Sequence, residues 1–127
     1  MIKKILIILG SLLIIIWGTA HLLPTSSVVN GFGNISIDNI RIIQMEWINE
    51  GLTLIFIGLL VSLVTIFGNT VTITKKIVYI TSAIMLFSMA ILSLFTGFKI
   101  DFIPFKVCPI IFSVSGVFIL QGAFSKK

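Results

Sequence analysis

The sequence contains four apolar segments, each about as long as the core of a lipid bilayer is thick. A hydrocarbon core of about 30 Å requires roughly 17–25 apolar residues of helix. The segments that meet this requirement cover about residues 5–23, 46–67, 77–98 and 107–124. Because lipid offers no hydrogen-bond partners, each segment must satisfy its backbone internally as a helix. The sequence therefore predicts an all-α integral membrane protein.

The composition of the chain excludes the common classes of soluble protein. Hydrophobic residues make up 57% of the 127 residues and charged residues only 10%, whereas a soluble domain has about 25% charged residues. A soluble fold of this size cannot bury so much apolar surface. A soluble enzyme and a free DNA-binding domain are thus excluded. Frequent Ile, Phe, Lys and Asn are typical of AT-rich bacterial genomes, which favours the bacterial inner membrane as the location.

The links between the apolar segments determine the predicted topology. Residues 69–76 join the second segment to the third, and residues 99–106 join the third to the fourth. Short links favour antiparallel neighbours, so we expect an antiparallel up-down-up-down four-helix transmembrane bundle. No linker divides the chain, and residues 1–127 are expected to form a single transmembrane domain. A second interpretation of the first segment stays open, because Gly18-Thr19-Ala20 resembles the cleavage site of a signal peptide.

The basic residues predict the orientation of this bundle. Alternation of the four helices places six lysines on one face: Lys3, Lys4, Lys75, Lys76, Lys126 and Lys127. The opposite face has three basic residues, Arg41, Lys99 and Lys106. The positive-inside rule then places both termini in the cytoplasm of a multi-pass cell-membrane protein. The net charge of +5 reflects this placement of lysines at the ends of apolar segments, so no nucleic-acid partner is predicted.

Small residues mark the expected packing faces of the third and fourth helices. Transmembrane helices associate through close approach at small side chains and through interhelical hydrogen bonds. The third segment carries four such residues along one seam, Ala83, Ala90, Ser93 and Gly97. The fourth carries three, Ser113, Gly116 and Ala123. We expect these stripes to pack, and the chain has no GxxxG motif that would indicate a glycophorin-like dimer.

The longest connection, about residues 24–44, is predicted as an outer loop. Pro24 is expected to end the first helix, because the residue before a proline disfavours helical geometry. Ser36 or Asp38 can cap a new helix through a side-chain oxygen. Ile40, Ile42, Ile43 and Trp47 are expected to form an interfacial turn that leads into the second transmembrane helix.

Polar and titratable residues gather near the outer face of the predicted bundle. All four acidic residues and the single histidine fall there: Asp38, Glu46, Glu50, Asp101 and His21. Glu46, Asn49, Glu50 and Thr53 share one helical stripe, since neighbours on a helix are three or four residues apart. Ionisable groups at membrane depth usually face the bundle interior or a water-filled cavity.

Two helices are therefore expected to bring this cluster together. Trp17 and His21, four residues apart, share a face of the first helix, and antiparallel packing sets His21 opposite Glu50. Trp47 is expected to point away from the stripe and to anchor in the headgroup region. Arg41 and Lys106 are candidate ion-pair partners for Glu46 and Asp101. The predicted ligand-binding residues are Trp17, His21, Arg41, Glu46, Trp47, Asn49 and Glu50. The alternative is a purely structural tie between the first two helices.

Motifs for catalysis and for metal binding are absent from the sequence. One histidine and one cysteine cannot build an ordinary zinc site, and His21, Glu46 and Glu50 would supply three ligands at most. The chain has no nucleophile elbow, P-loop or dinucleotide motif. We therefore assign no catalytic residue and no metal site, the cofactor stays unknown, and an enzyme is the less favoured class.

Two stretches resemble the small DoxX-like membrane proteins. The first is Gly10-Ser11-Leu12-Leu13, with Trp17-Gly18 and His21-Leu22-Leu23-Pro24 after it, and the second runs from Glu50 to Leu60. The resemblance covers about residues 10–65. It implies a four-helix bundle and a link to quinone or redox partners. Gly51 directly follows Glu50, so the glycine spacing departs from the family pattern. Residues 31–60 also resemble a bacterial family of uncharacterised proteins, especially at Met45-Glu46-Trp47-Ile48-Asn49-Glu50-Gly51.

Two functional hypotheses follow from the outer polar cluster. The first is a non-catalytic binding or accessory protein, whose outer-leaflet pocket holds a lipid or a quinone, or docks a partner subunit. Aromatic and titratable groups at one level are typical of a ligand site. The alternative is a small proton-coupled transporter that acts as a homo-oligomer. Glu50 lies near the end of a span, whereas carriers usually place their substrate site near mid-membrane.

Overall fold

The computed structural model describes residues 2–68 and 72–124, and within these ranges the chain is all-helical with no strand. Five α-helices are α1 (Ile2–Leu22), α2 (Thr25–Asn30), α3 (Ile37–Phe67), α4 (Ile73–Phe95) and α5 (Ile103–Leu120), and a 3₁₀ turn covers Gly97–Lys99. Among the described residues, α1, α3, α4 with its 3₁₀ turn, and α5 are long and apolar enough to cross a membrane. The predicted all-α class and the four long apolar helices are confirmed.

The helix starts differ from the prediction, most of all in the first connection. The predicted loop over residues 24–44 is wrong, because it contains α2 and the first turns of α3. Helix α3 starts at Ile37 because the Ser36 side chain accepts a hydrogen bond from the backbone N–H of Asn39, at 3.3 Å. The Ser36 cap that the sequence predicts is thus confirmed. In the same way, Thr72 caps α4 by accepting from the N–H of Lys75 at 3.3 Å.

Glycines bring α1 and α3 into the closest contact of the fold. A Cβ atom at Gly18 would lie 2.8 Å from the carbonyl oxygen of Gly51, and one at Gly58 would lie 2.6 Å from that of Ser11. Ser62 Oγ donates a hydrogen bond to Ser11 Oγ at 2.9 Å across the same interface. These contacts follow the pattern of close approach at small residues that drives helix association in lipid.

The predicted small-residue stripes of α4 and α5 pack as expected. Ala83 and Ala90 are buried, and the backbone of Gly116 accommodates the ring of Phe87, which a Cβ atom would meet at 2.9 Å. Leu86 and Phe112, also buried, fill the space around them as part of one continuous apolar core. The packing prediction is confirmed for Ala83, Ala90 and Gly116, whereas Ser93 is only half-buried and lines the space between α3 and α4.

Helices α3 and α4 follow each other in the chain but pack only loosely. Contacts are extensive between α3 and α1, between α1 and α5, and between α5 and α4, and they are sparse between α3 and α4. Near the link between them, the hydroxyls of Thr65 and Tyr79 lie 3.0 Å apart, and Lys75 Nζ donates to the carbonyl of Gly68. Away from this end the two helices separate and leave a groove.

The glycine contact between α1 and α3 yields a stability prediction. In Gly58→Ala, the new methyl group would have to displace the backbone of α1 at Ser11, and such overpacking typically costs about 1–3 kcal/mol. We expect a lower midpoint of thermal unfolding in detergent. Gly97→Ala is the matched control, because its Cβ atom would make an ordinary contact with Phe105 at 3.4 Å. Equal midpoints for the two variants would contradict the proposed close contact.

Candidate functional site

The groove between α3 and α4 is the largest cavity described here, with a volume of about 660 Å³. Its α3 wall carries Glu46, Asn49 and Glu50, and its α4 wall carries Met85 and Met89. Further lining residues include Phe32, Trp47, Ser93, Thr96, Phe105 and Cys108. Cavities that hold small organic ligands span about 300–1,000 Å³. The groove is therefore large enough for a small organic molecule.

His21 and Glu50 meet at the wall of this groove. His21 Nε2 lies 3.6 Å from Glu50 Oε2, and the histidine side chain is only 5% exposed while that of Glu50 is 36% exposed. The last turn of α1 positions His21, and the contact between Gly18 and Gly51 brings α3 alongside it. The predicted proximity of these two residues is confirmed. The carboxylate thus links a buried imidazole to an accessible cavity.

Trp47 packs against His21 from the side of α3. The two rings are stacked, with centroids 3.8 Å apart and planes inclined by 17°. Trp47 Nε1 donates a hydrogen bond to the backbone carbonyl of His21 at 2.8 Å, which satisfies one of the free carbonyls at the end of α1. The expectation that Trp47 points away from the polar stripe is wrong, since the indole fixes the orientation of the imidazole.

A second, smaller cavity of about 140 Å³ lies behind the histidine. Trp17, His21, Trp47, Phe105 and Cys108 are among the residues that line it. Two buried polar atoms of these residues, Trp17 Nε1 and His21 Nε2, form no hydrogen bond within the described parts of the chain. Buried polar groups in folded proteins are nearly always paired. These two atoms therefore mark a place where a polar group of a ligand could bind.

The structure brings six of the seven predicted site residues to the cluster or to the groove, and leaves Arg41 outside both. Trp17, His21, Trp47 and Glu50 form the cluster described above, and Glu46 and Asn49 lie along the adjoining groove. Arg41 is exposed and lines none of the cavities described here. The predicted ion pair between Arg41 and Glu46 is wrong, since the one Lys or Arg ion pair within residues 2–68 and 72–124 is Lys106–Asp101.

The predicted pair of Lys106 and Asp101 is confirmed, with Lys106 Nζ 3.0 Å from Asp101 Oδ1. Both side chains are accessible, and exposed ion pairs contribute only about 0–1 kcal/mol.

In the described ranges, no group of three or more His, Cys, Asp or Glu side chains is arranged to hold a metal ion.

The sequence prediction missed the contribution of α4 and α5 to the site. Met85, Met89, Ser93 and Thr96 lie three or four residues apart, so they share one face of α4 that is turned towards the groove. This mixed Met, Ser and Thr face is visible in the sequence, so the contribution of α4 to the groove could have been predicted. Phe105 of α5 packs edge-on against Trp47, with centroids 5.5 Å apart. No periodic pattern in the sequence indicates that contact, because it depends on how α5 crosses the end of the bundle.

Trp47 and Trp17 differ in whether the indole N–H forms a hydrogen bond, and this difference gives a stability prediction. Trp47→Phe keeps an aromatic ring against His21 but removes the hydrogen bond to its carbonyl, and such bonds contribute roughly 0.5–2 kcal/mol in membranes. Trp17→Phe removes an indole N–H that has no partner among the described residues, which relieves a cost rather than adding one. We expect the first variant to unfold at lower temperature than wild type, and the second to unfold at the same temperature or higher. The reverse order, measured by thermal melts in detergent, would contradict these roles.

Comparisons of the chain with protein-family models, with curated proteins and with solved structures find no match. The DoxX-like resemblance of residues 10–65 therefore stays a prediction from the sequence, and the site geometry is the basis for inferring a function.

Proposed function

We propose that the protein is a multi-pass membrane protein whose four long helices span the bilayer up-down-up-down, with both termini in the cytoplasm. The contacts along the helices support alternating directions: Gly18 meets Gly51, while Ser11 meets Ser62. Lys3 Nζ donates to the carbonyl of Phe124 at 3.0 Å, so the two ends of the described chain are neighbours. Large apolar side chains, among them Phe56, Ile84, Ile91 and Ile110, cover the outer surface.

The proposed role is the binding of a small membrane amphiphile, a lipid or a quinone, without catalysis. The observation that carries this proposal is the α3–α4 groove, which combines apolar walls with the His21–Glu50 pair beside it. Ligand sites in proteins typically have mostly apolar walls and a few polar groups that fix orientation. The tail of an amphiphile would lie against Met85 and Met89, and its head would reach Glu50.

The groove favours binding over transport. A carrier needs access from both sides of the membrane to a site near its middle. Here the Thr65–Tyr79 hydrogen bond and the Lys75–Gly68 contact hold α3 and α4 together near their link. These contacts close the groove at that end. The transporter hypothesis and the docking of a partner subunit are accordingly less well supported than ligand binding.

A groove-filling variant tests ligand binding directly. Met89→Trp places a large ring in the groove, whereas Ile91→Trp adds the same ring on the outer surface of the same helix, where Ile91 is 56% exposed. We expect lipids or quinones from a panel to raise the melting temperature of wild type and of Ile91→Trp, and to leave that of Met89→Trp unchanged. Stabilisation of neither wild type nor Ile91→Trp by any compound would argue against the proposal. Binding of a partner subunit would instead appear as co-purification that Met89→Trp abolishes.

Topology is tested separately by labelling. Single cysteines introduced at Ser26 and at Thr74, in a Cys108→Ala background, would lie on opposite sides of the membrane. We expect a membrane-impermeant maleimide added to intact cells to label the first and not the second. The opposite labelling pattern would show that the bundle is inverted, and labelling of both would contradict the up-down arrangement.

A further inference from the structure

We infer that the α3–α4 groove binds a single-chain amphiphile whose head group is a primary ammonium, held by the carboxylates of Glu50 and Glu46. This inference rests on the proposed ligand-binding function and specifies the class of ligand. It follows from the charges that line the groove, from the hydrogen bonds that its polar groups already form, and from the unpaired nitrogen of His21.

The charged residues that line the groove are all acidic. Glu46 and Glu50 are on its wall, and neither a lysine nor an arginine is among the lining residues that the structure describes. Lys106 and Asp101 are outside the groove and pair with each other at 3.0 Å. An anionic head group would face two carboxylates with no compensating cation. A cationic head group meets complementary charge, which favours both orientation and capture.

The hydrogen-bonding groups of the groove also favour a ligand that donates hydrogen bonds. The hydroxyls of Thr53, Ser93 and Thr96 already donate to carbonyls of their own helices, at 2.7–2.8 Å. The side chains of Glu46 and Glu50 accept no hydrogen bond from the residues that the structure describes, although an ionised carboxylate has about four acceptor sites. Apart from the Asn49 amide, which offers both donors and an acceptor, the groove therefore presents unused acceptors. A primary ammonium supplies three N–H donors.

His21 gives an independent indication of a bound polar group. Its side chain is only 5% exposed, and its Nε2 atom is directed at Glu50 Oε2, 3.6 Å away, without a hydrogen-bond partner in the described chain. The stacked ring of Trp47 holds the imidazole in that orientation. His21 itself does not line the groove. An ammonium bound there would contact Glu50, the residue that links the groove to the imidazole.

The remainder of the groove fits an apolar chain. Met85, Met89 and Leu92 form its α4 wall, and methionine side chains adapt well to ligands of irregular shape because they are flexible and polarisable. The groove opens sideways between two helices whose outer faces are apolar. A ligand dissolved in the bilayer can enter with its tail still in lipid, and only its head needs to leave the interface.

Three amphiphiles with the same tail test the head-group preference: dodecylammonium, dodecanol and dodecanoate, each brominated on the tail. Bromine quenches indole fluorescence, and both tryptophans of the chain line the described cavities. Titration of the purified full-length protein in maltoside detergent then reports binding. We expect dodecylammonium to bind at least about tenfold more tightly than the other two, a difference of about 1.4 kcal/mol. Equal affinities of the three compounds would overturn the ammonium assignment and leave groove binding intact.

Variants identify the carboxylates responsible. Glu50→Gln is expected to weaken dodecylammonium binding about tenfold, without affecting dodecanol, and Glu46→Gln to weaken it by a smaller factor. Asp38→Asn is the matched control, because Asp38 is an exposed acid on the same helix outside the groove. Because Glu46 is exposed, Glu46→Gln is expected to fold, and it tests the inference if Glu50→Gln does not fold. If the two glutamate variants bind dodecylammonium as tightly as wild type, the inference is refuted. If wild type binds none of the three compounds, ligand binding itself is refuted.

Discussion

The close approach of α1 and α3 at glycine is the contact on which the rest of the structure depends. In the proposed membrane setting, lipid tails are as apolar as the helix surfaces, so burial of apolar area would not hold these helices together as it does in water. Gly18, Gly51 and Gly58 instead let backbone meet backbone. Since α1 also packs on α5, and α5 on α4, α1 and α5 are the two inner helices and the gap is left between α3 and α4.

The same contact also assembles the polar cluster. Gly18 and Gly51 each lie one turn or less from a cluster residue, His21 and Glu50 respectively. Their contact fixes the depth at which the imidazole meets the carboxylate, and Trp47 then completes the arrangement by stacking on the ring and binding the end of α1. Two of the residues that contact His21, Trp47 and Glu50, also line the groove. The tie between α1 and α3 and the proposed ligand site therefore share side chains.

Much of the fold could be predicted from hydrophobic length alone, because four bilayer-length segments admit few arrangements. The pairing of His21 with Glu50 followed from helical spacing and from the expected antiparallel packing of α1 and α3. The Ser36 cap was visible, but the residues after it were predicted as an interfacial turn leading into a span from about residue 46, whereas α3 is continuous from Ile37. Asp38, Asn39 and Arg41 make this stretch too polar to be counted in a bilayer-length apolar segment. Trp47 and Arg41 were misjudged for a different reason. A helical wheel shows which residues share a face, but the direction of that face depends on how tightly its neighbours pack.

The contacts that join the end of α3 to the start of α4 affect how the groove between these helices can change in width. Tyr79 is held to Thr65 and Lys75 to Gly68 near the start of α4, while α4 packs extensively on α5 and sparsely on α3. The helix from Tyr79 to Thr96 is about 25 Å long, so a tilt of about 5° at this end would shift Thr96 by about 2 Å. A small tilt of α4, accompanied by α5, would therefore change the width of the groove most at its far end, beside Thr96.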